Sequence, residues 1–341
     1  MRIGIREKRI ATMLILAALF GSYLAAPVPV RAAGTGTIVF DLSHGQYKAT
    51  IFNTTDLWLT GNLTQMGYTV VWAKGGINAS ILENAVAFIA GSIYGVTKGY
   101  STAELTAITD WFNTGKKFMW IGYDSDFGGY TYINDNMTAI LDGVDSHVYG
   151  EPTAVADPIS CTGASYRVVA NGTSTNSYVA SIVANVNKVL MHGPTLVYGS
   201  NSTTPSHSTA PVALETTTIT NVYPLLYYGG NATILDSDAT PPIAHADGAK
   251  GKFVAATLEI NAGTAKTGVL VVSGASPYGD YQPMYSDAYY GVALNGYNLV
   301  KQAIDFGINT ATAVDMTLTY VIAAIGVVVV IVIIAIVLKR K

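Results

Sequence analysis

Three short stretches hold residue types that could do chemistry together. Asp41-Leu42-Ser43-His44-Gly45-Gln46 follows one apolar run, Tyr123-Asp124-Ser125-Asp126 follows another, and Ser276, Tyr278 and Asp280 follow a third. Imidazole, carboxylates and phenols gathered at strand ends are what a metal site or a sugar site requires. The same residues also serve as ordinary loop formers, since Asp starts turns and a lone His satisfies loop carbonyls. Asp124-x-Asp126-x-Gly128 has the opening of a calcium loop, but the later ligands and the terminal Glu are missing. His147, His192, His207 and His245 stand at no metal-ligand spacing. No G-x-S-x-G elbow occurs either; Ser273 is flanked by Val271 and Ala275 where that motif needs glycines. The residues assign no metal and no cofactor.

Such stretches converge only if the runs before them are neighbouring strands. Thr37–Asp41, Tyr68–Trp72, Ala85–Ala90 and Lys117–Gly122 are short and continuously apolar, the pattern of strands buried on both faces. Helices are expected between them, at about 54–66, from the capping box Ser101-x-x-Glu104 to about Asn113, and at about 133–141. This order predicts a flavodoxin-like parallel sheet with helices on both faces. Open sheets of that kind take their ligands at the carboxyl ends of the strands, where the three stretches lie. From 150 to 262 the pattern loosens into an irregular, β-rich elaboration, with a short helix expected at 178–186 and strands at 188–192, 222–228 and 252–260. A strand at 267–273 and a helix at 294–306 close the domain. In that last loop Tyr278, Tyr281, Tyr285, Tyr289, Tyr290 and Tyr297 crowd together, rigid amphipathic rings suited to carbohydrate faces or protein interfaces.

The two ends of the chain read as addresses. Leu318 to Leu338 carries no charge, and as a helix it would measure roughly 31 Å, a bilayer's hydrocarbon thickness. Lys339, Arg340 and Lys341 follow, which predicts a cytoplasmic tail at 339–341 after a span at 318–338 and a linker at 310–317. Arg2, Arg6, Lys8 and Arg9 followed by an apolar stretch and Val30-Arg31-Ala32 predict a signal peptide over 1–32. The expected exported domain, 33–309, then keeps 11 of the 19 Lys+Arg and 21 of the 22 Asp+Glu, a net charge near −10. That charge, with no cluster of cations, excludes a nucleic-acid partner. The single Cys161 forms no internal disulfide. Sequons at Asn53, Asn62, Asn78, Asn136, Asn171, Asn201 and Asn231 predict a glycosylated outer surface, in a composition of archaeal type.

Asp41-Leu-Ser-His44-Gly45-Gln46 after the first strand, Gly67-Tyr68 before the second, Tyr100-Ser-x-x-Glu104 opening a helix, and Gly268–Ser276 before the last helix together resemble the class I glutamine-amidotransferase-like superfamily. The resemblance spans roughly 35–308 and is nearest to the non-catalytic branch that includes the GIFT domain of intraflagellar transport and membrane-anchored surface proteins. Active members of that superfamily place a cysteine on a sharp turn after the strand that corresponds to Lys117–Gly122. Here that position reads Tyr123-Asp124-Ser125-Asp126, and Cys161 lies far downstream. The resemblance therefore implies the fold without the thiol chemistry.

The expected function is that of a surface module that binds a glycan, a solute or another surface protein, including service as a transporter accessory. The other expectations are a metal-assisted hydrolase built on Asp41, His44, Asp124 and Asp126, and a structural role in a cell-surface layer.

Overall fold

Short runs of consecutive apolar residues become the strands of one large sheet, because every second side chain must find cover on each face. The computed structural model describes residues 36–46, 54–127, 132–236, 238 and 240–313, and Gly34–Ala313 forms one compact unit. The sheet comprises β1 (Thr37–Asp41), β2 (Thr69–Ala73), β3 (Ala85–Ala90), β4 (Phe118–Gly122), β5 (Gly172–Thr173), β6 (Val222–Tyr227), β7 (Val254–Ala262) and β8 (Gly268–Ser273). Its order is β2-β1-β3-β4-β8-β7-β6-β5. The five strands from β2 to β8 are parallel.

Beyond β8 the sheet turns antiparallel, so the expected parallel architecture holds for one half only. Continuous burial in β7 gives no hint of direction, but its connection does. Only 263–267 separate β7 from β8, too short for a crossover, so the pair must be a hairpin.

The helices are α1 (Thr54–Gln65), α2 (Ala79–Leu82), α3 (Thr102–Asn113), α4 (Tyr132–Asp142) and α5 (Gly296–Thr312). Alternate strand residues feed two cores. Ile38, Phe40, Phe118 and Trp120 pack with Leu59 and Leu63 of α1 and Leu299, Val300 and Ile304 of α5. Val39, Phe88, Met119 and Ile121 pack on the other face with Ile108 and Phe112 of α3 and Met137 and Ile140 of α4. Each such large side chain contributes about 1.5–3 kcal/mol by burial. Trp120 is fully buried and satisfies its indole N–H on Ser273 Oγ at 2.8 Å.

Helix α5 runs farther than the sequence led us to expect, through Thr312 rather than Phe306. The helix therefore takes in residues assigned to a linker beginning at 310. Gly307 reads as a stop but is a packing residue: a Cβ there would sit 2.2 Å from the Phe118 ring, and Ile308 and Ala311 continue the buried stripe. The helix starts beside Lys188, whose N–H donates to Asn295 Oδ1 at 2.9 Å. It ends near the first residue of β4, having crossed from the carboxyl edge of the parallel strands to their amino edge.

The elaboration is less helical than expected. One 3-10 turn, Ser177–Val179, stands where a helix was anticipated. Besides β5, β6 and β7 of the large sheet it forms small pairings: Arg167–Ala170 with Val189–His192, Ala154–Ala156 with Thr233–Leu235, and Val148–Gly150 with Val197–Ser200 and Pro211–Val212. The signal segment expected at 1–32 and the span expected at 318–338 lie outside the described residues. Among the described residues, no helix is long and apolar enough to cross a membrane.

Candidate functional site

The first stretch folds around one carboxylate. Asp41 ends β1, is fully buried, and takes hydrogen bonds on both oxygens. Its Oδ1 accepts from Ser43 N–H at 2.8 Å and Ser43 Oγ at 2.6 Å. Its Oδ2 accepts from Gln46 Nε2 at 2.6 Å and Tyr100 Oη at 2.7 Å and meets His44 Nδ1 at 2.7 Å. Gly45 lets the loop close over it, with φ +74° and no room for a Cβ beside Tyr94 O.

The far side of His44 meets a second carboxylate, Glu104 Oε1, at 3.2 Å. Glu104 is the capping-box residue of α3, and it also accepts from Ile77 N–H at 3.0 Å. Burial alone would raise its pKa, but the N–H donors of Ser101 and Ile77 and the His44 charge outweigh it and bring the group down to about 2. Burial likewise pushes His44 down, yet Asp41 and Glu104 raise it above its ordinary value. The imidazole is thus clamped between two carboxylates that favour its protonated form. It holds the loop by joining Asp41 at the end of β1 to Glu104 of α3.

Tyr278, the third stretch's phenol, is a buried strut. Its Oη donates to Asp41 O at 2.5 Å and accepts from Gly91 N–H at 3.0 Å. Ser276 is buried too and donates to Tyr278 O at 2.6 Å. Tyr123 is also fully buried, its hydroxyl 3.0 Å from Thr138 Oγ1. These three candidates therefore build the site without facing a ligand. None of Tyr123 to Asp126 adopts a left-handed backbone, so the sharp turn that presents a nucleophile is not formed.

Asp124 and Asp280 do converge, through a residue that the sequence alone does not single out. Tyr94 Oη lies 2.5 Å from Asp124 Oδ2 and 2.7 Å from Asp280 Oδ1. Burial first, then the two carboxylates, hold this phenol well above its ordinary pKa, so it remains a donor. Asp280 is left-handed at φ +59°, a conformation that costs a non-glycine residue about 1 kcal/mol or more. Its N–H donates to Gln46 O at 3.0 Å, which ties the third stretch to the first.

Beside this pair lies a shelf of rings. His192 Nδ1 is 3.7 Å from Asp280 Oδ2, and its ring meets those of Tyr166, Tyr281 and Tyr289 at 5.8, 5.3 and 6.2 Å. Arg167 lies 4.9 Å from the Tyr166 ring and 4.3 Å from that of Tyr290, and it donates to Tyr166 Oη at 2.7 Å. Tyr166, Tyr281 and Tyr290 stay 47%, 56% and 61% exposed. Of the crowded tyrosines, Tyr278 and Tyr285 are core, while Tyr281, Tyr289 and Tyr290 form this surface. Arg167, Tyr166 and His192 come from the elaboration, and no spacing in the sequence could have announced them.

Asp126 stands apart. Its carboxylate meets those of Asp236 and Asp238, with ligand atoms within 4.8 Å of one another. Among the described residues this is the only group of that density, and Asp41 and His44 do not belong to it. The metal site expected from Asp41, His44, Asp124 and Asp126 together is therefore not assembled: Asp41 and His44 are consumed by their own network.

A second clamped imidazole also has no signal in the sequence. His245 lies 2.8 Å from Glu151 Oε1 and 3.0 Å from Glu215 Oε2, and burial, which would lower its pKa, is overcome by both carboxylates, raising it to about 9. Two further clefts measure about 690 and 790 Å³. The first is lined by His147, Glu259 and Lys266 at the amino edge. The second lies beside β6, against Tyr223 and Tyr227. Neither holds a residue of the three stretches.

The sequons sort by exposure. Asn78, Asn171, Asn201 and Asn231 are exposed. Asn62 donates its amide to Tyr285 Oη at 2.6 Å, and Asn136 accepts from Tyr100 N–H at 2.9 Å. Asn53 lies outside the described residues.

No protein-family model and no curated protein matches the chain. Among solved structures it is similar to the mmIFT52 N-terminal domain, with a TM-score of 0.51 and 10% identity over 82% of this chain and 98% of that one. It is also similar to a ThuA-like protein from Bacteroides uniformis ATCC 8492, with a TM-score of 0.41 and 11% identity over 86% and 97% of the two chains. A GMP synthase protein from Thermoplasma acidophilum follows, at 0.34 and 6% identity over 82% and 95%. The last two are too distant to carry an argument, and the first is a likeness of fold alone.

Proposed function

We propose that this chain is an exported, membrane-anchored surface protein whose flavodoxin-like domain, of the non-catalytic GIFT-like branch, works by binding. The observation that carries this reading is the ring shelf at the carboxyl edge of the sheet, where a doubly wound fold takes its ligands. Two residues with catalytic potential near it are engaged: His44 is held by Asp41 and Glu104, and Tyr123, the first residue of the elbow position, is buried.

A second reading, a metal-assisted hydrolase, is favoured by the group Asp126, Asp236 and Asp238. One experiment separates the two. The full-length protein is assayed on amide, ester, glycoside and phosphate substrates, with manganese, zinc or chelator, beside Asp126→Asn and His44→Ala. The binding reading expects no turnover that either substitution or the chelator lowers. Metal-dependent turnover lost in Asp126→Asn would establish the hydrolase instead.

A further inference from the structure

We infer that the shelf binds a neutral, hydroxyl-rich glycan; this names the ligand class of the site just proposed and rests on that reading. The exposed rings of Tyr166 and Tyr281 and the half-buried ring of Tyr289 surround His192, the exposed Tyr290 packs on Tyr289, and each offers an apolar face with a polar tip. A pyranose presents the complement: a C–H face that packs on an aromatic ring, and hydroxyls around its edge.

The rings are held before any ligand arrives. Arg167 packs against Tyr166 and Tyr290 and hydrogen bonds to Tyr166, while His192 contacts Tyr166, Tyr281 and Tyr289. A pre-ordered aromatic surface loses little entropy on binding. At its margin stand acceptors, the phenol oxygens of the exposed Tyr281 and Tyr290, and a planar donor fork, Arg167. A sugar hydroxyl both donates and accepts, so it uses both kinds of group at once.

Other ligand classes fit less well. An anionic polymer would meet one guanidinium, already faced by rings, against the nearby carboxylates of Asp124 and Asp280. An amphipathic helix needs an apolar groove for residues spaced three and four apart, whereas these rings carry hydroxyl tips and a charged margin.

The test is calorimetric titration of the full-length protein, in a detergent without a sugar headgroup, with cellopentaose, mannopentaose and chitopentaose. Saturable binding of at least one is expected. Tyr281→Ala and Tyr290→Ala should each weaken it tenfold or more without lowering the melting temperature, since both rings are exposed. Tyr178→Ala, at an exposed ring stacked on Tyr223 outside the shelf, should leave it unchanged and so controls for loss of any surface tyrosine. Failure of all three sugars to bind the unsubstituted protein overturns the glycan class and leaves the binding reading standing. Binding that survives both shelf substitutions overturns the assignment to the shelf. Binding accompanied by release of shorter sugars keeps the glycan class and overturns the non-enzymatic reading.

Discussion

Asp41 shows how one residue can look catalytic and be architectural. Five donor groups surround its two oxygens, which tie it to the loop and to Tyr100. Asp41→Asn would set an amide N–H₂ or a weaker acceptor against those donors. We expect a loss of about 2–4 kcal/mol in stability, measured by urea unfolding. His245 gives a pH signature. Its folded pKa is raised to about 9 from 6.5, so its contribution is complete below about pH 6.5 and disappears as pH rises through 9. Unfolding stability should therefore fall across that window, and His245→Gln should abolish this part of the fall while starting from a lower value, since it leaves Glu151 and Glu215 facing each other. Glu104 has the opposite sign. With its pKa lowered to about 2 from 4.5, its contribution is present above 4.5 and lost as pH drops through 2.

At the scale of elements, the capping box of α3 does two jobs. It satisfies the helix start, and it aims Glu104 at His44. Ser101→Ala should cost about 1 kcal/mol as a cap; a larger loss would mean that the His44 clamp loosens with it. Helix α5 offers a test in which local and tertiary preferences oppose each other. Gly307→Ala raises helix propensity, yet its methyl would collide with the Phe118 ring. Tertiary packing should prevail, with a net destabilisation of about 1–3 kcal/mol measured by thermal or denaturant melts.

Across the whole molecule, exposure decides which sequons can be used. When the protein is expressed in a host that exports and N-glycosylates it, peptide mass spectrometry should find glycan at some of Asn78, Asn171, Asn201 and Asn231. Asn62 should stay bare, because its amide is committed to Tyr285. The domain also separates its two ends: the shelf occupies the carboxyl edge, while α5 delivers the chain to the amino edge.

The sequence by itself determined the strands β1 to β4 and β8, the helices α1, α3 and α4 but not the short α2, and the loop from Asp41 to Gln46 as a place of concentrated polar chemistry. Those features rest on local rules, namely continuous apolar runs, a capping box and a turn after each strand, and local rules are legible residue by residue. It marked β6 and β7 as strands but not their antiparallel direction, although the five residues between β7 and β8 held the clue, and it did not mark the full length of α5, because Gly307 serves a distant ring rather than a helix end. Tertiary structure alone decided the site. Asp41, His44 and Gln46 were visible as candidates, but their mutual saturation depends on Tyr100 and Glu104, brought in from α3 and the residues before it. The shelf unites Tyr94, Arg167, His192 and Asp280 from four separate loops and strands, and contacts set by the packing of a sheet leave no periodicity in the chain.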